Sequence, residues 1–244
     1  MVVVGYTGIC AALFVFQRSL IYFPQARAVT APASTMRLSV EGAELVVSIR
    51  PHAGPKAIIY FGGNAEDVSV NLAAFDAWFP EHALFLFHYR GYGGSTGAPT
   101  ERANHADAAA LLAKVRSEHP DVAVIGRSLG TGVAVRLASL HSVSRLILVT
   151  PYDSIEAIAA AHYPYVPVRW LLRDRYESGQ YAQSIKIPTT IIAADNDEEI
   201  PRASTEELYA RFGKGVASMT IIAGTGHNTI QNSREYRSAL QAAL

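Results

Sequence analysis

The chain has 244 residues, half of them hydrophobic, enough for one well-filled core and one expected domain. Its 21 basic and 21 acidic residues cancel, and no basic stripe stands out, so nucleic acid is not an expected partner. The single cysteine, Cys10, excludes an internal disulfide and leaves no cysteine cluster for zinc.

The first element is apolar. "MVVVGYTGICAALFVF" carries no charged side chain, and Gln17, Arg18 and "SLIYFP" follow. Sixteen helical residues span about 24 Å, short of a bilayer core of about 30 Å, but continuation through Phe23 completes a tilted span. Residues 1–24 are therefore expected to be a membrane anchor. A cleaved signal peptide fits less well, because no basic residue precedes the run, and a buried helix is the plainer alternative. Small and polar residues over 25–36 read as a linker to a domain over 37–244. Arg18 points weakly to a cytoplasmic catalytic side; the side of the membrane stays open.

Strand patterns then alternate with helical ones. A hairpin over 37–51 turns at Glu41-Gly42. Strands follow at 56–61, 83–89, 122–126, 145–150, 189–194 and 218–223, mostly as the continuous apolar runs of strands buried on both faces. Helices are expected near 66–79, 104–118, 129–140, 204–212 and 233–243. This alternation predicts an α/β fold, a mostly parallel sheet with helices on both faces. Residues 152–186 hold short helical pieces but no strand pattern. They read as a small cap-like insertion, with Asp153 and Glu156 at capping-box spacing at its start.

"VAVIGRSLGTGVAVRLA", residues 122–138, passes from strand to helix with almost no loop. Ser128 sits at the apex, and Gly126 and Gly130 flank it at two residues' distance. A tight strand-to-helix turn needs bare positions there and projects its serine into the crevice at the strand ends. A serine hydroxyl needs a base. His227 in "AGTGHNTI" is the only histidine beyond the last strand pattern; His88 reads as structural. The acid should follow the 189–194 strand, where "AADNDEEIP" offers Asp195, Asp197, Glu198 and Glu199. Asp197 is preferred because Ile200-Pro201 would anchor its turn, and Asp153 is a lesser candidate. Two N–H donors for an oxyanion are expected from the Leu129 amide and, in "YFGGNAED", the Asn64 amide. The glycines there lack the Lys-Ser/Thr or G-x-G-x-x-G of a phosphate site, and no cofactor or metal is implied.

Together "QRSLIYFP", "YFGGNAED", "YRGYGGSTGAP", "GRSLGTGVA", "TPYDS" and "GTGHN" resemble the α/β-hydrolase superfamily, and more narrowly its membrane-anchored bud-emergence (Bem-type) branch. The resemblance implies an α/β-hydrolase fold, a Ser128–His227–Asp197 triad and an Asn64/Leu129 oxyanion hole. It implies a serine hydrolase acting on an ester or thioester, with peptidase-like and depalmitoylating relatives leaving a peptide or fatty-acyl thioester open. A non-catalytic scaffold on the same fold is the alternative from another class. One departure is Gly62, where the family commonly has histidine. The glycine-rich segment after Tyr89 is expected to shape the crevice floor.

Overall fold

The computed structural model describes residues 2–31 and 34–244; Met1 of the expected anchor and Pro32 and Ala33 of the expected linker lie outside the described residues. Eight strands form one sheet in the order β1-β2-β4-β3-β5-β6-β7-β8. They are β1 (Thr35–Val40), β2 (Ala43–Arg50), β3 (Lys56–Phe61), β4 (Ala83–Phe87), β5 (Asp121–Arg127), β6 (Arg145–Val149), β7 (Thr189–Ala194) and β8 (Ala217–Ile222). β1 and β2 form the hairpin turning at Glu41-Gly42 and add antiparallel at the β4 edge; the other pairings are parallel.

The apolar runs are continuous because both faces are covered. In β3, Ile59 and Phe61 enter one core with Leu111, Val133 and Leu148, while Ile58 and Tyr60 enter the other with Phe75, Ile147 and Leu240. The period of two thus sorts neighbours to opposite faces. The first core is closed by α3 (Glu101–Arg116), α4 (Leu129–Leu140) and α8 (Arg202–Arg211), the second by α2 (Leu72–Trp78) and α9 (Arg234–Ala242). The helix expected from residue 66 starts later. Asp67 accepts from Ser69 N and caps a 3₁₀ turn over Val68–Asn71, and α2 begins only at Leu72.

The insertion holds α5 (Ile155–His162), α6 (Val168–Leu171) and α7 (Ser178–Ala182). Its cap differs from the expected box. Ser154, one residue nearer the helix, accepts from Ala157 N, while Asp153 pairs with Arg211 at 3.4 Å and Glu156 with Arg169 at 3.1 Å.

α1 (Val2–Ile21) is long and apolar enough to cross a membrane, with a mean hydropathy of 1.4 over Val3–Ile21. Its C-terminal half lies against the insertion. Gln17 donates to Leu171 O and accepts from Arg173 N, and Arg18 pairs with Asp174 at 3.0 Å. Residues 25–29, read above as linker, are tied to the body: Gly93 N donates to Gln25 O, Ala28 N to Asp67 Oδ2 and Val29 N to Ser69 Oγ.

Candidate active site

β5 runs from the sheet interior to Arg127, and α4 begins at Leu129, leaving Ser128 alone to make the turn. Its φ of 50° and ψ of −120° are strained for a residue with a side chain, at a cost of about 1–3 kcal/mol that the surrounding packing must hold. The packing is tight. A Cβ on Gly126 would lie 2.5 Å from Gly130 O, and one on Gly130 would lie 2.1 Å from Phe61 O. The bare flanks let α4 press directly on β3 and β5.

His227, on the loop after β8, points Nε2 at Ser128 Oγ across 2.9 Å. Its Nδ1 faces both carboxylate oxygens of Asp197 at 2.9 Å. Asp197 Oδ1 also accepts from Glu199 N and Ile200 N, and Ile200 is buried beneath the loop. A carboxylate fixed by two amides is a rigid partner for an imidazole. Asp195 instead meets Arg202 at 3.4 Å, and Asp153 meets Arg211. All three side chains that approach one another here, Ser128, His227 and Asp197, are nearly excluded from water.

A cavity of about 690 Å³ opens in front of Ser128, lined also by Asn64, Leu129, His227 and Tyr152. Neither the Asn64 nor the Leu129 N–H is engaged by another backbone group among the described residues. Asn64 is held from three sides. Its side chain donates to Ile21 O at 3.0 Å, and its carbonyl accepts from Phe23 N and the Tyr92 hydroxyl. Tyr89 donates to Gly62 O, and Tyr92 of the glycine-rich segment that follows reaches Asn64 O; the segment supports this loop but does not itself line the cavity. Gly62 has no room for a side chain as the loop stands: a Cβ there would sit 2.4 Å from Val68 Cγ1.

Two charged residues escape motif-based inference. Arg127 and Glu66 form a buried ion pair at 3.0 Å. Glu66 also accepts from Gly63 N, Asn71 Nδ2 and the Tyr60 hydroxyl. Arg127 also donates to His227 O and Asn228 Oδ1. One pair thus ties the Gly62–Asn64 loop to the histidine loop. Burial, reinforced by Glu66, pushes the Tyr60 phenol well above its ordinary value, so it stays a neutral donor. Both charges stand inside quoted motifs. The available signal was that each must be buried beside such glycines and so needs a partner of opposite sign. Glu198, another carboxylate of the Asp197 loop, supports the histidine from the backbone side: its Oε2 accepts from His227 N at 3.1 Å. Among the described residues no group of three or more metal-ligating side chains is found.

A serine at a strand-to-helix bend in such a sheet, with a histidine after the last strand, defines the hydrolase class of α/β proteins. Residues 56–180 match the family described as alpha/beta hydrolase fold. An uncharacterized protein of Mycobacterium tuberculosis is 33% identical over 91% of this chain and 84% of its own length. The alpha/beta hydrolase domain-containing protein aho-3 of Caenorhabditis elegans is 29% identical over 66% of this chain and 48% of its own length. Among solved structures, an esterase of Pyrococcus furiosus superposes with a TM-score of 0.70 at 19% identity, over 92% of this chain and 96% of that one. Mouse alpha/beta hydrolase domain-containing protein 10 superposes at 0.66 with 16% identity, over 86% and 96%. The chain belongs to the alpha/beta hydrolase family.

Proposed function

We propose that this chain is a serine hydrolase that cleaves an ester or thioester through an acyl-enzyme. The observation that carries the proposal is the unbroken line Asp197–His227–Ser128, each contact at 2.9 Å. Ser128 Oγ attacks the substrate carbonyl carbon and its proton passes to His227 Nε2. The tetrahedral oxyanion takes hydrogen bonds from the Asn64 and Leu129 amides. Collapse breaks the C–O or C–S bond, and Nε2 returns the proton to the leaving oxygen or sulfur. Water then attacks the Ser128 ester, gives a proton to Nε2, and the acid departs as Ser128 recovers its hydrogen. Asp197 holds the imidazole with Nδ1 protonated and stabilises the cation formed midway.

The motifs around Phe23, Asn64, Ser128 and His227 support placement in the membrane-anchored Bem-type branch, and the apolar α1 supports a single N-terminal anchor. On this view residues 37–244 are the catalytic domain and 152–186 its cap.

A fluorophosphonate probe tests the chemistry. It is expected to label Ser128 covalently in the full chain and to leave Ser128→Ala unlabelled. Absence of labelling in the folded wild type would leave a binding scaffold as the better account.

A further inference from the structure

A second hollow of about 220 Å³ lies beside the catalytic cavity, between α1 and the insertion. Leu13 and Leu20 of α1 line it together with Ile155, Ile158, Ala159 and Val166 of the insertion. The two spaces adjoin, because Leu20, Ile21, Ile155 and Ile158 line both. The smaller one presents hydrocarbon. Its buried Gln17 spends its amide on Phe14 O, Leu171 O and Arg173 N, and His162 turns Nδ1 to Ile158 O.

The larger cavity is different. Asn71, Asn228 and Gln231 line it along with Glu66 and Arg127. The space in front of Ser128 therefore mixes polar and apolar groups, and the hollow that adjoins it through Leu20, Ile21, Ile155 and Ile158 is almost wholly apolar. A polar leaving group entering the apolar space would lose hydrogen bonds to water and regain none. An alkyl chain there is released from water at no such cost. The outer surface of the insertion carries Tyr165 and Trp170, which are 87% and 86% exposed, beside the exposed apolar face of α1. Tyr6 of α1 reaches Tyr165 O at 2.8 Å, so these form one surface. It is the kind of aromatic and apolar rim that lies at a membrane interface, from which an acylated substrate would enter.

We propose that the hollow between α1 and the insertion is the acyl-chain subsite, so that α1 is a wall of the substrate site and the substrates are esters or thioesters of extended fatty-acyl chains. This inference rests on the serine hydrolase proposed above. It assigns to Leu13, Ile158 and Ala159 the choice of chain length.

The test uses the full chain in nanodiscs and alkyl fluorophosphonates from ethyl to dodecyl, following the inactivation rate constant per mole of probe. In the wild type that constant is expected to rise about fourfold per added methylene, the equivalent of about 0.8 kcal/mol each, until the hollow is full. Ala159→Phe from the insertion and, separately, Leu13→Trp from α1 are expected to flatten the rise. Both variants share any partition of the probe into lipid, so the change in slope isolates the hollow. A flat series in the wild type, or a rise that survives both substitutions, overturns the subsite. Failure to label at any chain length overturns the hydrolase mechanism instead.

Discussion

Asp195 and Asp197 differ by two positions and share one loop, yet they have different partners. Asp197 accepts two backbone amides and meets His227, whereas Asp195 is half exposed beside Arg202. Asp197→Asn is expected to lower kcat on a short-chain p-nitrophenyl ester by about 10⁴-fold, because an amide no longer favours the tautomer with Nδ1 protonated. Asp195→Asn removes only an exposed ion pair, worth about 0–1 kcal/mol, and is expected to leave kcat within about threefold. Turnover at saturating substrate distinguishes them, and the reverse ranking would transfer the role to Asp195. Glu66→Ala leaves Arg127 charged and buried with no counter-charge. Breaking such a pair costs about 3–5 kcal/mol, read as a lowered urea midpoint. The preference for Asp197 was legible in the Ile200-Pro201 pair that follows it. The Glu66–Arg127 pair was not, because pattern marks each charge as out of place without matching residues 61 apart.

At the scale of elements, strands and most helices were legible because two apolar cores impose continuous runs on the sheet and a one-sided face on α3. The start of α2 was not, since a local side-chain bond from Asp67 converts the first turn to 3₁₀ geometry. The capping of α5 was misplaced by one residue for a similar reason. Spacing cannot tell a capping carboxylate from one drawn away by an arginine of α8. His88 shows how elements are joined through a titratable group. It follows β4, and its Nε2 lies 2.9 Å from Ser48 Oγ of β2. Burial pushes its pKa down to about 4. The unfolded chain holds the proton below about pH 6.5 and the folded chain does not, so stability falls as pH drops from about 6.5 toward 4. The loss approaches about 3 kcal/mol over that window. Urea midpoints measured from pH 7 to 4.5 are expected to fall accordingly, and His88→Gln is expected to lack that part of the slope.

Across the whole molecule, the first helix and the segment after it are hydrogen-bonded to the candidate site and to the insertion. Ile21 O receives the Asn64 side chain, Phe23 N donates to Asn64 O, and the Tyr22 hydroxyl reaches Asp174 and Tyr176 in the insertion. The apolar stretch was legible as a candidate span from its composition. Its docking was not, because it is made by partners about 150 residues apart, such as Arg18 with Asp174 and Tyr22 with Tyr176, and by backbone carbonyls, which carry no residue identity. A chain lacking residues 1–22 is expected to fold its sheet yet lose about 100-fold in kcat on an acetyl ester, since a misplacement near 1 Å at an oxyanion donor suffices for that. Steady-state kinetics beside circular dichroism would check both halves of the expectation. A version shortened by that helix would then report on a disarmed catalyst, and a protease that clipped the same spot in a cell would silence the hydrolase.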